Sequence, residues 1–465
     1  MPDKYHIKAV ATPGHFRRVG RLGSVDWRED CSRCTNCVKP RCQYDTYKKE
    51  AAYNRNPETA IVPLYECRGC LSCVQGCTKG LLAIALNPEY MAMGDEYWKP
   101  DILATTWNQA DSGRIPVSGA GYRGRFHGPG FDGIWTDMSE IVRPTRDGIH
   151  GREYISTSVD IGGKPMRLSF SQNGALLGEP SALIDVPIPL LLDIPPWTMS
   201  GQALARARIL AAKTLGTLAV VPTDKLAAVP AEQLPSLVPL VGSEGLAQVT
   251  PILPKVRMVE FAEWPGALDL VRQAKAIHPR LICGLRVPME AGTADRILEA
   301  NQAGVKVFHI FADLHGRELG NDSPRHIKDA IRDIHRRLVQ AGMRDEVTLI
   351  VSGGIALAEH VAKTIICGAD LVAVDTSLLV ALGCRVCQGA THSVHQEQCP
   401  AEASNLDPVY AAQRIVNLMA AWHSQLIEVL GAMGIREVRR LRGEVGRAIF
   451  MEDIEREAFG DLACK

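Results

Sequence analysis

From about residue 180 the sequence alternates short apolar runs with amphipathic helical stretches, and this alternation limits the fold more than any other feature. The runs are TLAVVP (217–222), VRMVEFAE (256–263), LICGLRVP (281–288), VKVFHIFAD (305–313), VTLIVSGG (347–354) and DLVAVDT (370–376). None shows the polar alternation of a sheet with one wet face, so the strands are expected to be parallel and covered on both sides. The helical stretches include GQALARARILAAKTLG (201–216), which spaces Leu204, Ile209, Leu210 and Leu215 on one face and stops at Gly216. Roughly seven or eight such units in about 250 residues fit a TIM-type (βα)8 barrel better than an open sheet. A long final helix, 407–433, is expected to cap it.

A second constraint lies upstream. Of the chain's 14 cysteines, eight fall between Cys31 and Cys77, in two runs. The first is Cys31-x2-Cys34-x2-Cys37-x4-Cys42, and the second is Cys67-x2-Cys70-x2-Cys73-x3-Cys77. Three thiolates at x2 spacing can grip three irons of one cubane, while the fourth cysteine of each run serves the other cluster. By that rule Cys31, Cys34, Cys37 and Cys77 hold one 4Fe–4S cluster, and Cys67, Cys70, Cys73 and Cys42 hold the second. Zinc is the competing reading, but zinc ribbons use two cysteines per knuckle and here three stand in register twice. Thr78 stands where a proline commonly follows the fourth cysteine, and the first run has one extra residue before Cys42.

These features divide the chain into a leader (1–25), a ferredoxin-like 2×4Fe–4S module (26–95), a Gly/Arg-rich connecting segment (96–180), the barrel (181–433) and a tail (434–465). The connecting segment reads as loop followed by short strands. Lys plus Arg and Asp plus Glu both total 52 and aromatics make up 6%, so neither a basic field nor a stacking surface invites nucleic acid. The start, MPDKYHIKAVATPGHF, has no apolar signal-peptide core, and apolar stretches such as VPIPLLLDIP are too short to span a bilayer. A cytoplasmic protein without a transmembrane segment is expected.

Three stretches resemble the FMN-binding synthase domain of glutamate synthases: PPWTMSGQALARARILAAKTLG (195–216), VSGGIALAEHVAKTIICGADLVAVDTSLLVALGC (351–384) and GAMGIREVRRLRGE (431–444). The ferredoxin module is similar to that of archaeal-type glutamate synthases and of relatives that make N-methylglutamate. The resemblance implies an FMN barrel whose flavin meets Ser200 and Gly201 after the first strand. It also implies that Arg286 stands in for the family's lysine at the flavin N1/O2 edge, where a cation favours the reduced anionic flavin. Phosphate-binding barrels present backbone N–H groups from the loops after strands seven and eight, which selects Gly353, Gly354 and Thr376. Asp375 departs from the family's small neutral residue, and a carboxylate beside a phosphate is unfavourable unless it binds a backbone N–H.

The family holds a 3Fe–4S cluster beside the flavin. Cys384 and Cys399 match its first and last ligands by their flanks, and Cys387 can substitute for the middle one, which aligns near Ala390. The substrate loops depart further. Ala312–Glu318 lacks the family's Asp-Gly-Gly-x-Gly-Ala pattern, and the Gly-Glu-Gly-Gly run after the second strand is missing. His309, Asp313 and His315, at or beyond a strand end, are the catalytic candidates by position.

Three functions follow. One is reduction of an imine from a 2-oxo acid, giving glutamate or a relative. Another is FMN oxidoreduction of a different substrate, and the last is electron transfer within a multi-subunit redox complex. Expected partners are an electron donor or acceptor, either an NAD(P)H-dependent flavoprotein or a ferredoxin, and a separate amidotransferase subunit, since no glutaminase domain is recognisable.

Overall fold

The computed structural model describes residues 5–16, 18–27, 30–32, 34, 40–43, 70–115, 130–136, 155–164, 169–177, 181–196, 201–226, 229–262, 266–387, 399 and 405–460. The chain divides into two compact units. One comprises Met1–Pro13, Thr106–Cys384 and Cys399–Lys465, and the other comprises Gly14–Thr105 and Arg385–Gln398.

The larger unit is built on a closed barrel of eight parallel strands. In chain order these are β1 (Leu190–Leu192), β2 (Ala219–Pro222), β3 (Leu237–Val241), β4 (Met258–Ala262), β5 (Ile282–Pro288), β6 (Val307–Phe311), β7 (Thr348–Ser352) and β8 (Leu371–Val374). Each strand pairs with the next, and Val374↔Leu192 closes β8 onto β1. The TIM-type barrel expected from the sequence is therefore present. The helices between and after these strands include α1 (Gln202–Leu215), α2 (Ala267–Ile277), α3 (Thr293–Gln302), α4 (Ile327–Gln340), α5 (Ala358–Ile366), the short α6 (Thr376–Ala381) and the long α7 (Pro408–Ala432). Every residue of β7 and β8 is buried, as lack of polar alternation requires.

Two strands escape the sequence pattern, β1 and β3, because prolines stand in or beside them. Pro239 lies inside β3, yet β4 joins β3 only at Leu240↔Glu260 and Val241↔Phe261. The proline therefore precedes the β4 ladder, while on the other side it is in register with Val221 of β2.

The N-terminal end of the barrel is locked electrostatically. Asp370, just before β8, accepts bonds from Arg344 (2.8 Å), Arg442 (2.8 Å) and the Leu349 N–H (2.8 Å), with the Lys164 ammonium 3.6 Å away. Burial opposes the charge, but these cations hold the Asp370 carboxyl well below the usual carboxylate range.

The leader is less irregular than its sequence suggests. Asn417 of α7 bonds the Val10 N–H (3.1 Å) and carbonyl (2.7 Å), while buried Arg414 donates to the Thr12 carbonyl (2.6 Å) and Asp111 (2.7 Å). The connecting segment contains a helix, Pro100–Ser112, with Thr106, Trp107 and Ala110 buried at helical spacing. Later in that segment, Val159–Gly162 pairs antiparallel with Leu183–Val186.

In the smaller unit Leu22–Trp27, which crosses the expected boundary between leader and cysteine module, pairs antiparallel with Leu82–Leu86. Asn87 caps the short helix Pro88–Met91 by accepting the Glu89 N–H at 3.0 Å, and Arg385 pairs with Glu89 at 2.8 Å. Among the described residues no helix is long and apolar enough to cross a membrane.

Candidate functional site

Among the polar side chains that interrupt apolar barrel strands or follow their ends are Asp193, Glu260, Arg286 and His309. A polar group there has no place in the sheet–helix interface and must face the lumen, where it requires a partner. The structure brings all four together at the C-terminal mouth. Arg286 is bonded to Asp193 through two parallel contacts, Nη1–Oδ1 and Nη2–Oδ2, both 2.8 Å, and its Nη1 lies 3.5 Å from Glu260. His309 Nδ1 is 2.9 Å from Glu260 Oε1, and its Nε2 is 3.0 Å from Ser352 Oγ and 3.5 Å from Asp193. Asp193, Glu260, His309 and Ser352 are fully buried or nearly so, and 12% of the Arg286 side chain is accessible.

The electrostatics follow from this pairing. Burial alone would neutralise Asp193, but Arg286 and His309 pull its carboxyl well below the usual range. Burial likewise opposes the Arg286 charge, and Asp193 and Glu260 more than offset it. Arg208 of α1 supports the arrangement from behind, donating to the carbonyls of Asp193 (2.9 Å) and Val220 (2.6 Å). Burial brings the Arg208 pKa down to about 10.

Beyond β8, Asp375 caps α6 by accepting the Thr376 N–H. Its carboxyl therefore takes the backbone N–H that the sequence offered as an escape from phosphate repulsion. Burial, and next the Asp193 carboxylate, push the Asp375 pKa up to about 7. The adjoining Thr376 hydroxyl is buried, acts on the Asp375 carboxyl beside it, and meets no partner in good hydrogen-bond geometry.

The other expected site residues are placed as follows. Gly353 and Gly354 end β7 in left-handed conformations, φ 99° and 67°. A Cβ on Gly354 would lie 2.5 Å from the Gly316 nitrogen, and one on Gly353 would lie 2.7 Å from the Asp313 carbonyl. Their lack of side chains thus serves close packing of the 312–316 loop on the β7 turn, a demand the sequence did not reveal. Gly201 caps α1 in extended backbone with open space around it, and Ser200 lies outside the described residues. Asp313 and His315 lie on the loop after β6. There Asp313 accepts the N–H groups of His315 (2.8 Å) and Arg317 (2.7 Å) and so holds the turn. Glu318 is engaged by Arg325 at 2.6 Å.

Asp132, Glu359 and His360 also approach within metal-ligand reach. However, Lys363 pairs with Glu359 (3.3 Å), and His360 Nδ1 accepts the Ala356 N–H (3.2 Å), so the cluster is internally satisfied.

Of the eight upstream cysteines, Cys37 and Cys67 lie outside the described residues. Cys42 and Cys73 are buried, and Cys34 and Cys70 are exposed. Cys77 Sγ accepts the Leu81 N–H at 3.3 Å, and that bond with a second from Lys79 lowers its thiol below the ordinary value. Ser72 acts similarly on Cys70. Backbone N–H groups aimed at sulfur favour thiolate, the form that binds iron or zinc. Cys384 is buried just beyond α6, Cys387 and Cys399 are half-buried, and residues 388–398 lie outside the described residues.

Residues 324–436 match the conserved region in glutamate synthase. An archaeal-type glutamate synthase (NADPH) of Dehalococcoides mccartyi is 24% identical, over 90% of this chain and 93% of its own. The archaeal glutamate synthase (NADPH) of Methanocaldococcus jannaschii is 39% identical, over 29% of this chain and 28% of its own. Among solved structures, a mutant flavocytochrome b2 with pyruvate bound aligns with 77% of this chain and 81% of its own, at 10% identity and TM-score 0.43. At that level it adds nothing to what the closed barrel already shows.

Proposed function

We propose that the chain is an FMN- and iron–sulfur-dependent oxidoreductase of the glutamate synthase family that reduces an imine of a 2-oxo acid, a reading supported by the match of residues 324–436 and by the archaeal-type relatives. The observation that carries this reading is the polar cluster inside the barrel, drawn from five different strands or the residues that follow them, as barrel active sites usually are.

The chain's residues suit an FMN phosphate where barrels commonly hold one. The Thr376 hydroxyl, which meets no partner in good hydrogen-bond geometry, lies at the start of α6, directly after β8, and Asp375 beside it is largely uncharged below neutrality. When bound, FMN would supply hydride transfer and pass single electrons to the clusters. Arg286, fixed by Asp193, presents an oriented cation at the mouth. His309, between Glu260 and Ser352, can hold or pass a proton along that line. The thiolate-favouring environments of Cys70 and Cys77 suit iron ligation, with Cys31, Cys34, Cys37, Cys42, Cys67 and Cys73 completing two 4Fe–4S clusters. Cys384, Cys387 and Cys399 would serve a third cluster, of 3Fe–4S type. Electrons would come from a separate NAD(P)H-dependent flavoprotein or a ferredoxin, and ammonia free or from an amidotransferase subunit.

A second reading, electron transfer without substrate turnover, draws on one observation. Two cations are already committed, Arg286 to Asp193 and Arg325 to Glu318, which leaves a dicarboxylate fewer partners beyond the exposed Arg317 on the loop after β6. The test is an anaerobic assay of the reduced full-length protein with 2-oxoglutarate and ammonium. Saturable glutamate formation supports the first reading. Electron transfer to artificial acceptors with no glutamate formed removes it in favour of the second.

A further inference from the structure

The connecting segment has no part in the site described above, yet one turn of it reaches the C-terminal face of the barrel. Gly130–Gly133 forms a single 3-10 turn, and Phe131 within it is 1% exposed. The Phe131 ring lies between two imidazoles. It is edge-on to His326 (centroids 4.9 Å apart, planes at 88°) and tilted on His360 (4.6 Å, 32°). His326 caps α4 and His360 lies in the first turn of α5, so the ring joins the helix ends that face the mouth. Lys363 of α5 holds the turn in place by donating to the Phe131 carbonyl at 2.8 Å. Just beyond, Ile134–Thr136 pairs with Ala448–Phe450, and the chain that follows Phe450 is bonded to α4 through Glu452 with Lys328 and Asp453 with Arg332.

Both imidazoles serve as acceptors. His326 Nδ1 takes the Lys328 N–H and His360 Nδ1 takes the Ala356 N–H, each at 3.2 Å. A ring nitrogen accepts only while it is unprotonated. Burial, and next Lys328 and Arg317, bring the His326 pKa down to about 3. Burial, and next Lys363 and His326, hold His360 well below its ordinary value. The carboxylates beside His360 are Asp132 and Glu359, and Glu359 is taken up by Lys363. Ala356 belongs to the turn from β7 to α5. The Ile355 carbonyl of that turn accepts the hydroxyl of Ser377, the neighbour of Thr376, at 2.7 Å.

We propose that Phe131 is a positioning residue: it seals His326 and His360 from water so that each keeps accepting its backbone N–H, and through His360 it fixes the β7–α5 turn beside the phosphate site. The link to the phosphate rests on the FMN reading above, and the sealing does not. The connecting segment is then part of the barrel wall rather than a linker.

Hydrogen exchange at the imidazole C2 position, followed by mass spectrometry of the full-length protein between about pH 5 and pH 8, reads the protonation of each histidine. In the wild type His326 and His360 should exchange slowly and show no midpoint in that range. In Phe131→Ala water enters between the rings, both should exchange faster, and their midpoints should rise toward the ordinary value of about 6.5. Phe131→Leu, which refills the space with apolar atoms, should stay near the wild type. His423, packed on Tyr5 and Thr157, is the internal control and should not change. Lys363→Met, which releases the Phe131 carbonyl, should shift His360 in the same direction and serves if Phe131→Ala does not fold. Histidines that stay slow in these variants, or a His423 that speeds up equally, overturn the proposal. FMN should bind roughly tenfold more weakly to Phe131→Ala and normally to Phe131→Leu. Shifted histidines with unaltered FMN affinity overturn the link to the phosphate. A wild type that binds no FMN refutes the proposed function, while the sealing is still judged by the histidine exchange.

Discussion

The barrel unit and the cysteine-rich unit are specified in opposite ways. In the barrel, order comes from apolar burial: β7 and β8 are buried along their whole length, and the polar residues that break the pattern are gathered into one internally paired cluster. In residues 14–105 the described framework is a two-stranded sheet and short helical turns, and two of the cysteines expected to bind iron are exposed. A two-stranded sheet is marginal by itself, so under the iron–sulfur proposal such a unit would draw its stability from what its thiolates bind. One unit is held by what it excludes from water, and the other, under the iron–sulfur proposal, by what it ligates.

The largest expected effect separates them. Removing iron anaerobically with a chelator should make residues 14–105 sensitive to protease while the barrel keeps its helical circular dichroism and thermal midpoint. A cysteine-rich unit that stays protected without metal breaks the comparison.

Within the barrel, Asp193→Ala leaves the Arg286 charge buried without its counter-ion. A loss of about 3–5 kcal/mol in denaturant unfolding is expected. A loss below about 1 kcal/mol would mean that Glu260 alone suffices to hold the arginine.

Asp375 gives a stability change that depends on pH. Its pKa is raised from 3.8 to about 7 on folding, so the unfolded chain gives up this proton at lower pH than the native one. The resulting stability is complete below about pH 4 and is lost as pH rises to about 7. Asp375→Asn, which cannot ionise, should match the wild type near pH 4 and exceed it by on the order of 3 kcal/mol at about pH 8. Equal stabilities at both pH values would contradict the burial of an acid there.

The smallest effect belongs to Thr376→Val. Removing a buried hydroxyl that meets no partner in good hydrogen-bond geometry should change the stability of the ligand-free protein by less than about 1 kcal/mol. The same change should weaken FMN binding by roughly fivefold if the hydroxyl meets the phosphate. Unaltered affinity would place the phosphate elsewhere.

The barrel was legible because apolar parallel strands and amphipathic helices leave a strong periodic trace, and it faded only where proline intrudes, as at β1 and β3. The helix Pro100–Ser112 was missed although Thr106, Trp107 and Ala110 carry a helical spacing, because the glycine-rich stretch beyond it dominated the reading of that segment. His309 and Arg286 were singled out and do meet. Asp193 and Glu260 were not, yet a carboxylate inside VRMVEFAE or at the end of PLLLD is a visible break in an apolar run. Ser352 and the nearness of Asp193 to Asp375 could not have been read, since both depend on which strand ends become neighbours when the sheet closes. The glycines after β7 show the converse: their type was noticed, but the close packing of the 312–316 loop, which demands it, is visible only in three dimensions.

The central claim is that the barrel mouth holds FMN. The direct measurement is the identity and amount of flavin released by acid from full-length protein purified without oxygen. About one FMN per chain is expected, with less retained by Thr376→Val after dialysis. FAD, or no flavin in a protein whose barrel is folded, would contradict the account.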